Sequence, residues 1–103
     1  MKRTIKSIKV RTAEELGEAL GLSPEDTIEI ELRSELNAKI IEIVKKRGLT
    51  HAAVARLAHT SRTRVTALLN GNTKNVSTSL MIRILACLGV KAKLTYVPSK
   101  IAA

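Results

Sequence analysis

Between Thr50 and Gly89 the sequence repeats one local device: a hydroxyl residue, a short stretch of aliphatic residues at three- and four-residue spacing, and a break. Thr50 opens residues 50–58, Ser61 opens 61–70 and Ser77 opens 77–88, and Gly71 and Gly89 follow the last two. A hydroxyl at the N-cap accepts a hydrogen bond from an amide that the helix leaves unpaired, and a glycine just past the last turn ends the helix. Only two residues link the first pair of helices and six the second. Links this short force short amphipathic helices into a compact bundle, so the chain is expected to be all-α.

The preceding residues extend the bundle. Thr12 and Glu15 form a capping-box pattern that opens a short helix over 13–20, stopped by Gly21. Ser23-Pro24-Glu25-Asp26 then supplies an N-cap, a proline at the first helical position and acid in the first turn. Leu32, Leu36, Ile40 and Val44 repeat every four residues with Ile43 beside them, and Lys45-Lys46-Arg47-Gly48 closes the run. One long helix fits best, although the alternation of Ile28, Ile30 and Leu32 also suits a strand that would leave a shorter helix from Ser34. Two further segments read as strands. Residues 4–10 set Ile5, Ile8 and Val10 among bases, as a strand or an ordered arm, and after Gly89 the residues Val90, Ala92, Leu94 and Tyr96 alternate with Lys91, Lys93 and Thr95 up to Pro98. The organisation expected is an arm and short helix over 1–22, a main domain over 23–97 and a tail over 98–103, with the C-terminal strand pairing either with the N-terminal one or with its copy in a second subunit.

A chain of 103 residues with 45% apolar side chains suffices for one core, and with Tyr96 as its single aromatic residue that core is aliphatic. Stacking on single-stranded bases, which needs aromatic platforms, is disfavoured. The net charge of +9 is unevenly spread. All nine acids lie between Glu14 and Glu42, whereas residues 43–103 hold eleven bases (Lys45, Lys46, Arg47, Arg56, Arg62, Arg64, Lys74, Arg83, Lys91, Lys93, Lys100) and no acid. That half can approach a polyanion without local repulsion. The lone Cys87 has no disulfide partner or CxxC spacing and is expected in an apolar layer with Leu85 and Leu88. No apolar run nears the roughly 20 residues that span a bilayer, and MKRTIKSIKV is not a signal-peptide core, so a cytoplasmic protein, nucleoid-associated when bound to DNA, is expected.

Residues 50–71 carry the functional expectation, a helix-turn-helix. In such a unit the first helix braces the second across a tight turn, which needs a small residue at the crossing and apolar residues inside the second helix. Ala55 supplies the small contact, Val54 and Ala58 extend it, and Val65, Leu68 and Leu69 form the inner stripe. At about 100° per residue Thr63, Thr66, Ala67 and Asn70 fall on the opposite face, with Arg62 at its exposed N-terminal end. That face is free of acid and bulk and can enter a major groove, where Arg62 would bond guanine O6 and N7 and the Thr and Ala methyls would meet thymine methyls. Arg64, on the flank of the helix, suits a phosphate or a neighbouring helix equally, and Lys74 and Asn75, in the loop after Gly71, suit phosphates or plain solvent.

The stretch LTHAAVARLAHTSRTRVTALLNG, followed by NVSTSLMIRILACLGVKAKLTYV, resembles the XRE (lambda-repressor and Cro-like) family and its HigA-like antitoxin branch over residues 32–97. The resemblance implies a lambda-repressor-like five-helix domain with a short C-terminal β-strand, and residue roles with it. His51 stands where the family usually has a phosphate-contacting Gln, Ser61 caps the recognition helix, and Arg62, Thr63, Thr66 and Ala67 hold the base-reading positions. Thr50, His51, Ser61, Arg64, Asn70, Lys74 and Asn75 make up the phosphate set. A repressor that binds double-stranded DNA is expected, acting as a homodimer on a palindromic operator because one recognition helix covers few base pairs. For the antitoxin branch the resemblance implies neutralisation of a RelE-like ribonuclease toxin with repression of the operon encoding both, and the acidic residues from Glu14 to Glu31 could face such a basic toxin. The sequence departs from the pattern at His59, in place of the turn glycine, at His51, whose ring adds a pH-dependent charge, and at Val76, in place of a Phe.

No enzyme and no cofactor is expected. The two histidines lie eight apart with no Cys, Asp or Glu nearby to complete a metal site, and Glu25, Asp26, Glu29 and Glu31 read more simply as a solvated helix start than as an acid-base pair.

Overall fold

The computed structural model describes residues 13–98, which form five helices: α1 (Ala13–Ala19), α2 (Pro24–Arg47), α3 (His51–Ala58), α4 (Arg62–Leu69) and α5 (Thr78–Cys87). The expected strand or arm over 4–10, Thr12 of the capping box, and residues 99–103 of the tail lie outside the described residues. No described helix is long and apolar enough to cross a membrane.

Local chemistry sets the helix ends. The Ser23 hydroxyl accepts from the Asp26 amide at 3.1 Å, Pro24 needs no partner at the first helical position, and Glu25 and Asp26 complement the positive end of the helix. At the other end Lys45, Lys46 and Arg47 face the carbonyl terminus, and Gly48, at φ 63°, lets the Leu49 amide turn back onto the Val44 carbonyl at 3.0 Å. Ile28 and Ile30 are therefore helical, and the strand alternative for them is not realised.

The described chain falls into two compact units, one reaching Glu31 and including the residues from Tyr96 on, the other Leu32–Thr95. In the first, α1 approaches the start of α2 where Gly17 meets Thr27: a Cβ on Gly17 would fall on the Thr27 hydroxyl. Thr27 is only 3% exposed, and its hydroxyl donates to the Ser23 carbonyl at 3.1 Å. In the second unit, Leu36, Ile40, Ile43 and Val44 of α2 share one core with Val54, Ala55 and Ala58 of α3, Val65 and Leu68 of α4, and Leu80, Met81, Ile84 and Leu85 of α5. α3 packs against both α4 and α5. Val76, where the family pattern has Phe, is buried in this aliphatic core.

Two sequence expectations are corrected. Residues 90–98 have no regular secondary structure, and no strand occurs among the described residues. Alternation decides which side chains share a face, but a strand also needs a ladder partner, and none is present among the described residues. Cys87 is exposed. Leu80, Met81, Ile84, Leu85 and Leu88 centre the buried stripe of α5, and at 100° per residue Cys87 sits about 90° from that centre.

Candidate nucleic-acid interface

The α3–α4 unit is built by two caps and one turn. Thr50, in extended conformation, accepts from the Ala53 amide at 3.0 Å, and Ser61 accepts from the Arg64 amide at 3.1 Å. Neither α3 nor α4 carries an acid in its first turn, unlike α2, so their amide-rich ends stay open to an anion. Val54, Ala55 and Ala58 are buried on α3, as are Val65 and Leu68 on α4, while Leu69 is half-buried. The small Ala55 and Ala58 allow the two helices their close approach.

His59 occupies the left-handed region, at φ 54° and ψ 50°, as the single non-glycine residue with positive φ among the described residues. The turn keeps the geometry that a glycine would give: the Thr60 amide reaches the Ala55 carbonyl at 2.9 Å and the His59 amide reaches the Arg56 carbonyl at 3.4 Å. An L side chain here carries a steric cost that glycine lacks. His59→Gly is expected to stabilise the fold by about 0.5–1 kcal/mol, with thermal melting a few degrees higher. A lower melting temperature would mean that the imidazole makes a compensating contact.

The reading face expected on α4 divides by exposure. Arg62 and Thr63 are exposed, Thr66 and Ala67 are half-buried, and Asn70, capping the end of α4, is exposed. His51 Nδ1 lies 2.8 Å from Thr66 Oγ1, which joins one expected phosphate contact to one expected base contact across the two helices. The neutral ring either accepts the Thr66 proton at Nδ1, with its own N–H at Nε2, or donates from Nδ1 to Thr66 Oγ1; the imidazolium donates at both nitrogens and adds charge. Arg64 is exposed on the flank of α4 away from Arg62. Lys74 and Asn75 are exposed in the loop, where the Lys74 amide donates to Asn72 Oδ1 at 3.2 Å.

Sequence reasoning missed Arg33. From α2 its guanidinium donates to Thr78 Oγ1 at 2.9 Å and to the Thr73 and Val76 carbonyls at 2.5 Å each, tying down the loop that carries Lys74 and Asn75. A charged residue three positions before Leu36, at the edge of the core stripe, was the one local hint.

A sequence profile for a helix-turn-helix domain matches residues 18–95, more than half of the chain, so the chain belongs to that family. Membership implies DNA as a partner and is typical of non-enzymatic regulators. No curated protein and no solved structure matches the chain. Among the described residues no cluster of His, Cys, Asp and Glu could hold a metal ion.

Proposed function

We propose that this protein is a sequence-specific, double-stranded-DNA-binding transcriptional repressor acting as a homodimer on an inverted repeat. The observation that carries the reading is α4 itself: a capped helix braced by α3, with an acid-free outer face of Arg62, Thr63, Ala67 and Asn70. Arg62, Thr63 and the partly exposed Thr66 and Ala67 read bases, and Thr50, His51, Ser61, Arg64, Asn70, Lys74 and Asn75 position the backbone.

Dimerisation is supported by a groove of about 370 Å³ between α2, α5 and the following segment, lined by Leu32, Leu36, Ile82, Leu85, Val90 and Leu94 among others. Leu94 is 58% exposed, apolar area that a second copy would cover. Two recognition helices roughly 34 Å apart would then read successive major grooves. Selection of bound duplexes from a random pool tests the reading: an inverted repeat supports it, and recovery of unrelated sequences refutes it. Lys74→Gln is expected to weaken all duplexes alike and to lower the salt slope of binding by about 1. An unchanged slope would remove Lys74 from the interface.

A second activity has its own support. Seven acids lie between Glu14 and Glu31 with no base among them, and Leu16, Leu20, Ile28 and Ile30 are exposed in the same stretch. Such a surface suits a basic protein, and the resemblance to HigA-like antitoxins makes a RelE-like ribonuclease toxin the partner of choice. Co-expression with the product of an adjoining short basic gene tests it: loss of ribonuclease activity in a stable complex supports the antitoxin role, and undiminished activity removes it. The protein acts in the cytoplasm under either reading.

A further inference from the structure

On the side of α4 turned towards α5, a polar cleft of about 300 Å³ is lined by His59, Arg64, Asn75, Ser77, Ser79 and Arg83 over the buried Leu80. The lining draws on the α3–α4 turn, α4, the following loop and α5, and contains two guanidinium groups and no acid. The Ser77 hydroxyl accepts from the Leu80 amide at 3.0 Å and keeps its own proton to donate. Every polar side chain of the lining can donate a hydrogen bond, and both permanent charges are positive. The chemistry fitted to it is a phosphate oxyanion.

A helix lying in the major groove has a phosphate strand on each side. The α3 side of α4, where His51 meets Thr66, offers Thr50 and His51 to one strand. Arg64, about 100° from Thr63 in the other direction, opens instead onto the cleft. We infer that this cleft is a second phosphate clamp, in which Arg83 and Arg64 hold a backbone phosphate of the strand across the groove from His51. The inference rests on the duplex-binding reading above and adds Arg83, His59, Ser77 and Ser79 to the interface.

The test is a salt series of binding to the selected duplex and to a random one, with Arg83→Gln, Arg64→Gln and Arg83→Lys, after thermal melts confirm folding. Each Gln variant is expected to lower the salt slope by about 1 and to weaken both duplexes by the same factor, about fivefold near physiological salt, whereas Arg83→Lys keeps the slope. In a scan of single methylphosphonates, which remove the charge of one phosphate, one position should weaken the wild type and leave Arg83→Gln unaffected. Wild-type slopes in both Gln variants, or no such position, would overturn the clamp while leaving DNA binding intact. If the wild type binds neither duplex, the repressor reading itself fails. In that event, inorganic phosphate that shifts the His59 and Ser79 amide resonances of the wild type but not of Arg83→Gln would make the cleft a free-anion site and overturn its assignment to DNA.

Discussion

Arg33→Met is expected to cost the fold about 2–4 kcal/mol, read as a lower denaturant midpoint at unchanged m-value. Methionine keeps much of the length and apolar contact of the arginine stem while removing all three hydrogen bonds, which makes the variant a test of those bonds rather than of packing. Those bonds end on the Thr73 and Val76 carbonyls, in the segment between α4 and α5 that has few helical hydrogen bonds of its own, and on the Thr78 hydroxyl at the start of α5. Val76 is 3% exposed, so its carbonyl cannot simply be handed to water without pulling a core residue outward. A hydrogen bond from a charged donor contributes about 1.5–3 kcal/mol, and partial rehydration of the loop limits the sum. Arg33→Lys should fall between Met and wild type, since a single ammonium cannot reproduce the planar fork that reaches three acceptors. Amide exchange at residues 72–76 should quicken in both variants. A Met variant within about 0.5 kcal/mol of wild type would show that the loop holds itself.

Elements stated by neighbouring residues were legible before the structure. The caps Thr50, Ser61 and Ser77, and the break after Ala58, act over three to five residues, and each helix they bound is present within a residue or two of the expected limits. The long α2 follows from Ser23-Pro24 and Lys45-Lys46-Arg47 at its two ends, whose pull outweighed the alternation of Ile28 and Ile30. His59 was legible as a departure, and the backbone resolved it: the turn keeps the left-handed geometry and the histidine accommodates it.

What escaped the sequence depends on distance along the chain. Arg33 meets its acceptors 40 to 45 residues away, and His51 meets Thr66 fifteen residues away, separations over which no local pattern reports. The segment after Gly89 failed for a related reason. Its alternation satisfies half of what a strand requires, and the other half must come from a second backbone that the described chain does not offer. The groove beside it and the exposed Leu94 are the physical residue of that mismatch: apolar area that a paired strand would have covered.

Arg62→Ala should move DNA binding and fold stability independently. Arg62 is exposed at the first helical position of α4, and no acid follows Glu42 in the chain to pair with it there. A positive charge in the first turn opposes the helix dipole, as does that of Arg64, so removing it is expected to leave stability unchanged or raise it by a few tenths of a kcal/mol. In the major groove the same guanidinium has its planar pair of donors at the right spacing for guanine O6 and N7, a contact that contributes about 1–3 kcal/mol of discrimination. The selected duplex should therefore bind roughly 5- to 150-fold more weakly to the variant, with the loss concentrated at one base pair, while a random duplex loses only the smaller, salt-dependent share of one charge. Arg62→Lys restores that charge without the fork and should recover the random-duplex affinity but not the base preference. Equal losses on both duplexes, fully repaired by lysine, would make Arg62 a phosphate contact and shift the reading of sequence to Thr63, Thr66 and Ala67 alone.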